Sequence, residues 1–225
     1  MKDALVIHHH LGLGDHIICN GLVNQISIHK KIYLICKLQY YKNIRYLYKD
    51  NKNVKVIPLT NFMTRSIKSE KKFSKLLSFF LVAKINYIGF KQEIGDYFDE
   101  IFYKQAGIDF QHRYTSFYVP DDSENMISIP KSKFRLIHQE SSLGHYSLNI
   151  ESNDLINVFV SKNLGRNIFS YINLIKNAVE IHCVDSAFIH LVDSYKLSNK
   201  LFFHDVRKDK YKFHFNNQWK TINYH

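Results

Sequence analysis

Short apolar runs alternate with stretches of helical periodicity along most of this chain, and that alternation limits its fold more than any other feature. Residues 4–9, 32–36, 54–59 and 86–90 each read as a buried strand. Residues 15–28 repeat apolar side chains at Ile17, Ile18, Leu22 and Ile26, the spacing of one helix face. Residues 39–48, 69–83 and 95–106 read as further helices. Strands separated by helices do not pair as hairpins, so the pattern predicts an α/β protein with mostly parallel sheets covered on both faces.

Around residues 114–133 the pattern breaks into a strand-like piece and a polar loop with Pro120, Asp121, Asp122 and Pro130. The lobe boundary is placed there, giving residues 1–130 and 131–225, with a crevice expected between the lobes. The alternation then resumes, with strands at 134–139, 157–161, 179–184 and 200–204 and helices at 169–177 and 185–195. The second lobe is short, so it is expected to be a trimmed version of the same design.

With 45% hydrophobic and 15% aromatic residues, the chain is too apolar for a disordered one. A net charge of +11 first suggests a nucleic-acid binder, yet Lys and Arg are spread from Lys2 to Lys220 without a block. The richest stretch, residues 68–75, also carries Glu70 at helical spacing and reads as a solvated helix face. No nucleic acid is therefore expected, and a basic enzyme with anionic substrates fits the charge equally well. Cys19, Cys36 and Cys183 form an odd set in apolar surroundings without a CxxC pair, which points to buried reduced thiols. The first residues run directly into a strand, and the most apolar window, residues 76–83, is too short to span a bilayer. The expectation is a cytoplasmic protein without a signal peptide and with at most peripheral membrane contact.

Three places could carry chemistry. The first is Leu11-Gly12-Leu13-Gly14-Asp15-His16, between the first strand and the first helix. Glycines there permit a sharp turn and bring helix amides to the sheet edge, although neither a dinucleotide fingerprint nor a P-loop is spelled out. By spacing alone it reads as a turn with Asp15 as helix N-cap. The second place runs from Glu180 to His190, where a buried strand delivers Asp185 and Ser186 to a helix start. Such a start caps itself or holds a phosphate oxygen. The third is the polar loop His138-Gln139-Glu140-Ser141-Ser142-Leu143-Gly144-His145-Tyr146, a surface loop or a diphosphate pocket lined by Ser141, Ser142 and the Gly144 amide. His8, His9 and His10 are consecutive in a strand and alternate in direction, so they do not converge on a metal ion. One is expected inside and another at the crevice. Tyr40, Tyr41, Tyr46 and Tyr48 read as core and rim residues of a helix.

Together these places resemble the GT-B glycosyltransferases, in particular a heptosyltransferase-like group of small bacterial and viral sugar transferases. Leu13-Gly14-Asp15 resembles the Gly-Asp turn that opens heptosyltransferases. Asp185-Ser186-Ala187-Phe188-Ile189-His190 resembles their Asp-Thr/Ser-Gly-x-x-His segment, which contacts the donor phosphates. Residues 106–110 with Arg113, Phe117 and Glu124 resemble the segment leading into the second lobe. Two positions depart from the family pattern. Leu143 stands where the third motif has a basic residue, which shifts phosphate neutralisation to His145, Arg135 or Arg166, and Ala187 replaces a glycine.

The resemblance implies a GT-B-like fold of two Rossmann-like lobes, residues 1–130 on the acceptor side and 131–225 on the donor side. It implies transfer of a sugar from a nucleotide-activated donor to a glycan or glycolipid hydroxyl, with inversion and without a metal or other cofactor. Asp15 is then the general base with His16 in reserve. Gly14, Ser141, Ser142, Gly144, His145, Glu180, Asp185, Ser186, Ala187 and His190 are the donor-binding candidates, Glu180 as a contact to the ribose. The alternative is a degenerate transferase that binds a nucleotide sugar or nucleic acid without catalysis.

Overall fold

The computed structural model describes residues 3–90, 97–121, 125–161, 167–207 and 212–224. Two compact units divide the chain: Met1–Pro120 with Tyr211–His214, and Asp121–Lys210 with Phe215–His225.

The first unit runs β1 (Ala4–His8), α1 (Leu13–Ile18), α2 (Asn20–Ser27), β2 (Lys31–Lys37), α3 (Tyr41–Leu47), β3 (Val54–Leu59), α4 (Ile67–Phe80), β4 (Lys84–Tyr87), α5 (Phe98–Ala106) and α6 (His112–Thr115). Its four strands pair in the order β3-β2-β1-β4, all parallel. Val6, Ile7, Ile32, Leu34, Ile35 and Cys36 on the two central strands are fully buried, as the apolar runs require.

The single helix expected over residues 15–28 is two helices. In an unbroken helix the Leu22 amide would bond the Ile18 carbonyl. Here the buried Tyr103 hydroxyl stands between them, donating to Ile18 O at 2.7 Å and accepting from Leu22 N–H at 3.2 Å. An inserted side chain of this kind breaks the ladder while leaving both polar groups satisfied. The strand-like piece expected after residue 114 is absent among the described residues; α6 occupies His112–Thr115 and the backbone beyond it is irregular.

The second unit runs β5 (Phe134–His138), a hairpin of β6 (Glu140–Ser141) and β7 (Gly144–His145), β8 (Ile156–Phe159), α7 (Ile172–Asn177), β9 (Glu180–Val184), α8 (Ala187–Asp193), β10 (Lys200–Asp205) and β11 (Trp219–Asn223). Five strands pair in the order β11-β10-β9-β5-β8, all parallel. The connection from β5 to β8 holds only the β6–β7 hairpin and no helix, which is how this unit is trimmed. Strand β11 is additional to the four expected. It pairs on one side only, with β10, and Lys220, Thr221 and Asn223 are exposed, so it lacks the continuous apolar run of a central strand.

Two fully buried carboxylates hold the segment that precedes β11. Asp99 on α5 is paired with the Arg113 guanidinium and accepts the His214 amide at 2.9 Å. Arg113 also donates to the His214 carbonyl at 3.2 Å. In the second unit, Asp193 accepts the Asn216 amide at 2.8 Å, the Asn217 amide at 3.2 Å and the Trp219 indole N–H at 2.9 Å.

Removing one partner of a buried ion pair leaves the other charged and desolvated, which costs about 3–5 kcal/mol. Asp99→Ala is therefore expected to lower the unfolding free energy by an amount of that order. Urea denaturation checks it, and a loss under about 1 kcal/mol would contradict the pair's structural role.

Candidate functional site

In an open parallel sheet, ligands bind beyond the carboxyl ends of the strands, where neighbouring connections leave in opposite directions. The strand orders give one such switch point in each unit, between β1 and β4 and between β5 and β9.

At the first, β1 ends at His8 and the chain turns through Gly12 into α1. Gly12 is the N-cap, and its N–H donates to Asp15 Oδ2 at 3.1 Å. Asp15 is thus the third residue of the helix rather than the cap that spacing alone suggested. A Cβ at residue 12 would lie 2.5 Å from Asp15 Oδ2, so the folded-back carboxylate depends on glycine there. Asp15 stays partly exposed, and Gly14 lies inside the first turn of α1. His16, the reserve base, is fully buried, with its ring 4.3 Å from that of His9 and edge-on to it. Burial holds its pKa well below the ordinary value, and a closed-off imidazole is not placed to meet an acceptor hydroxyl.

Of the three consecutive histidines, both His8 and His9 are buried, whereas only one was expected inside; His10 is half-buried. Strand β1 is central and covered on both faces, so His8 is buried, and His9, just past the strand's end, is enclosed by His16 and Phe102. His8 Nδ1 lies 2.7 Å from Ser74 Oγ on α4, and His8 Nε2 lies 3.7 Å from Glu70. Among the described residues, no group of three or more His, Cys, Asp or Glu is placed to hold a metal ion.

At the second switch point, β9 delivers Asp185 and Ser186 to α8. Ser186 is the N-cap and accepts the Phe188 amide at 3.2 Å. Its hydroxyl lies 3.2 Å from Nδ1 of His138, the last residue of β5. His138 stacks on the Phe188 ring at 4.9 Å, and burial lowers its pKa to about 4. A neutral imidazole carries one N–H, so the Ser186 hydroxyl and His138 Nδ1 share one hydrogen bond whose direction is set by the imidazole tautomer.

The cation beside this turn is Arg207, which the sequence reading did not name. Its Nη1 lies 3.3 Å from Asp185 Oδ2 and 3.4 Å from the Asp185 carbonyl. Strand β10 is parallel to β9, so the residues just past its end arrive at the same sheet edge. That register was the available signal.

The other donor candidates scatter. Ser141 Oγ accepts the Leu143 amide at 3.0 Å inside the hairpin, and Ser142, Leu143, Gly144 and His145 are exposed. Gly144 has φ +146°, a conformation other residues avoid, so its glycine serves the hairpin turn. His145 bonds Gln139 at 2.9 Å. Ala187 opens α8, and His190 is buried one turn further on.

Glu180 and Arg135 are paired in register at the opposite, amino ends of β9 and β5. Strand β9 and the turn after it separate Glu180 from Ser186, roughly 20 Å if the chain stays extended. There Glu180 meets Lys200 at 3.7 Å and His182 at 3.6 Å, while Arg135 is bound to Asn153 and to the Glu151 carbonyl. Both serve the sheet's far edge and do not join Ser186. Glu124 and Arg166 lie outside the described residues.

The chain is similar to the crystal structure of a family 9 glycosyl transferase from Veillonella parvula, with a TM-score of 0.57 and 10% identity, over 99% of this chain and 87% of that one. It is also similar to TibC, an iron-containing dodecameric glycosyltransferase of enterotoxigenic E. coli, with a TM-score of 0.52 and 14% identity, over 89% of this chain and 58% of that one. The fold is GT-B-like. No family model matches the sequence, and no match is found among curated proteins. The likeness to these two structures is one of fold, at 10% and 14% sequence identity. No helix among the described residues is long and apolar enough to cross a membrane.

Several buried imidazoles link stability to pH. Burial lowers His9, His138 and His204 to about 4 and His8 to about 3. Each has a folded pKa below its unfolded value of about 6.5, so between those values the unfolded chain binds more protons. Stability is expected to be full above pH 6.5 and to fall steadily as the pH drops towards 4. Thermal melts across that range check the sign; a midpoint that stays flat or rises on acidification would refute it.

Proposed function

We propose that this protein transfers a sugar from a nucleoside diphosphate sugar to an acceptor hydroxyl of a glycan or glycolipid. The observation that carries the reading is the grouping of Ser186, His138 and Arg207 around the start of α8 at the β5/β9 switch point. A departing nucleoside diphosphate builds up negative charge on its terminal phosphate. Arg207 offers a guanidinium, Ser186 a hydroxyl, and the first turn of α8 its amides. With the imidazole proton on Nδ1, His138 donates to Ser186 Oγ and leaves the hydroxyl proton for a phosphate oxygen. His138, neutral at ordinary pH, adds no charge and fixes the hydroxyl's direction. The likeness in fold to glycosyltransferases supports the same reading.

We assign the general base to Asp15. The Gly12 amide holds one oxygen of a carboxylate that remains in reach of solvent, and a fixed, accessible carboxylate suits removal of a hydroxyl proton. Inversion follows from one in-line displacement, in which the acceptor oxygen bonds to the anomeric carbon as the diphosphate leaves.

Calorimetric titration with a panel of nucleoside diphosphates tests the donor site. Ser186→Ala is expected to weaken binding by about 1 kcal/mol and Arg207→Ala by about 1.5–3 kcal/mol, the scales of a neutral and a charge-assisted hydrogen bond. Unchanged affinity in both variants would remove the site.

Donor hydrolysis, which needs no acceptor, tests the base. Asp15→Asn keeps the size and the bond to Gly12 but cannot take a proton. Turnover should fall by about a hundredfold or more, with nucleotide affinity and melting temperature close to wild type. Nucleotide affinity with no turnover in the wild type would instead leave a binding module, the reading that exposed Leu143 in place of a basic residue favours.

A further inference from the structure

Helix α4 carries two apolar faces, and among the described residues one of them packs on the core while the other stays exposed. Leu77 and Leu81 pack on the core cluster of Val6, Leu11, Tyr33, Ile35 and Leu59. On the other side Leu76, Phe79 and Phe80 share a face at i, i+3 and i+4, with Phe79 77% and Phe80 72% exposed. Val82, just past the helix end, is 92% exposed.

Val82 is held there against its own preference. The helix closes with Ala83 N–H bonding Ser78 O at 2.9 Å and Val82 N–H bonding Phe79 O at 3.2 Å. This closure places its central residue in the left-handed region and is normally served by glycine. Val82 occupies it at φ +47°, a strained conformation for a β-branched residue. Glycine would close the helix at lower cost but would present no side chain.

The charge along this part of the chain is almost entirely positive, with exposed Asp3, just before β1 and beside the start of β4, as an acidic neighbour. Between residues 51 and 90 the chain has eight Lys or Arg and a single carboxylate, Glu70. Glu70 is buried and turned towards His8, 3.7 Å away. Lys68, Lys72 and Lys75 are exposed along the same stripe that leads to Leu76 and Phe79, and Lys84 is exposed beyond Val82. Protein interfaces are depleted in lysine, whereas an apolar tip on a cationic stem matches a bilayer bearing anionic headgroups.

We propose that the C-terminal end of α4 docks this protein on an anionic phospholipid surface. Phe79, Phe80 and Val82 enter the acyl boundary while Lys68, Lys72, Lys75 and Lys84 meet the headgroups. The inference stands apart from the donor reading, because none of these residues belongs to either switch point.

Co-sedimentation of the full chain with vesicles tests it. Binding is expected to vesicles of equal parts phosphatidylglycerol and phosphatidylcholine, and to weaken in about 1 M salt, where charges are screened within a few ångströms. Vesicles of phosphatidylcholine alone should bind weakly. The double variant Phe79→Ser with Phe80→Ser should lose at least about tenfold in affinity, since two aromatic rings no longer leave water. Lys72→Glu with Lys75→Glu should lose the preference for the anionic vesicles.

Val82→Gly separates docking from folding: it should melt at a higher temperature than wild type and yet bind vesicles more weakly. Absence of wild-type binding, or binding untouched by the Phe and Lys variants, would overturn the proposal. So would sedimentation velocity showing a lipid-free dimer that the Phe variants abolish, because a second copy would then cover the tip.

Discussion

Parallel pairing is the constraint from which the rest of this molecule follows. Every strand of the two main sheets runs in the same sense as its neighbours, so each unit has one edge where all its strands end. A parallel strand cannot be reached by a tight turn, and the chain must cross back over a face before the next one begins. Those crossings bury β1 and β9 on both sides. They also determine which residues meet, since side chains far apart in sequence arrive together when they follow strands that end side by side. His138, Ser186 and Arg207 belong to three different strand ends and meet for that reason.

Much of this plan is legible in the sequence, because a doubly covered strand must be apolar throughout. Strand β3 occupies the expected residues, and β1, β2, β5, β9 and β10 differ from expectation by a residue or two. The features that escaped are those in which tertiary contacts override local pattern. The apolar period of residues 15–28 continues unbroken through Cys19, and nothing local announces that Tyr103, some eighty residues away, enters the helix ladder. Strand β11 is hidden for the opposite reason: with one face and one edge open, it needs few apolar residues.

The candidate site is legible as positions and much less as partners. The turns at Gly12–Asp15 and Asp185–Ser186 stand out as glycine and capping chemistry between a strand and a helix. Their hydrogen bonds do not. The glycine that matters most is Gly12, which admits the Asp15 carboxylate, and this requires knowing that the side chain folds back. Glu180 begins the strand whose other end leads to Ser186, a separation that only the sheet makes plain. For the cation absent at Leu143 the sequence offers His145, Arg135 or Arg166, whereas Arg207, just past the end of the neighbouring strand, is the one beside Asp185.

The segment between β10 and β11 has a consequence for how such a molecule could be divided or inherited. Residues 212–214 belong to the first unit and residues 215–225 to the second, so the polypeptide crosses from one unit to the other three times. No single cut yields two complete halves. Genetic exchange at residue 120 would deliver a first half without its His214 contact to Asp99. The transplanted second half would carry a short segment whose partner stayed behind. An exchange that moved either unit whole would have to carry residues 211–214 with the first and residues 215–225 with the second.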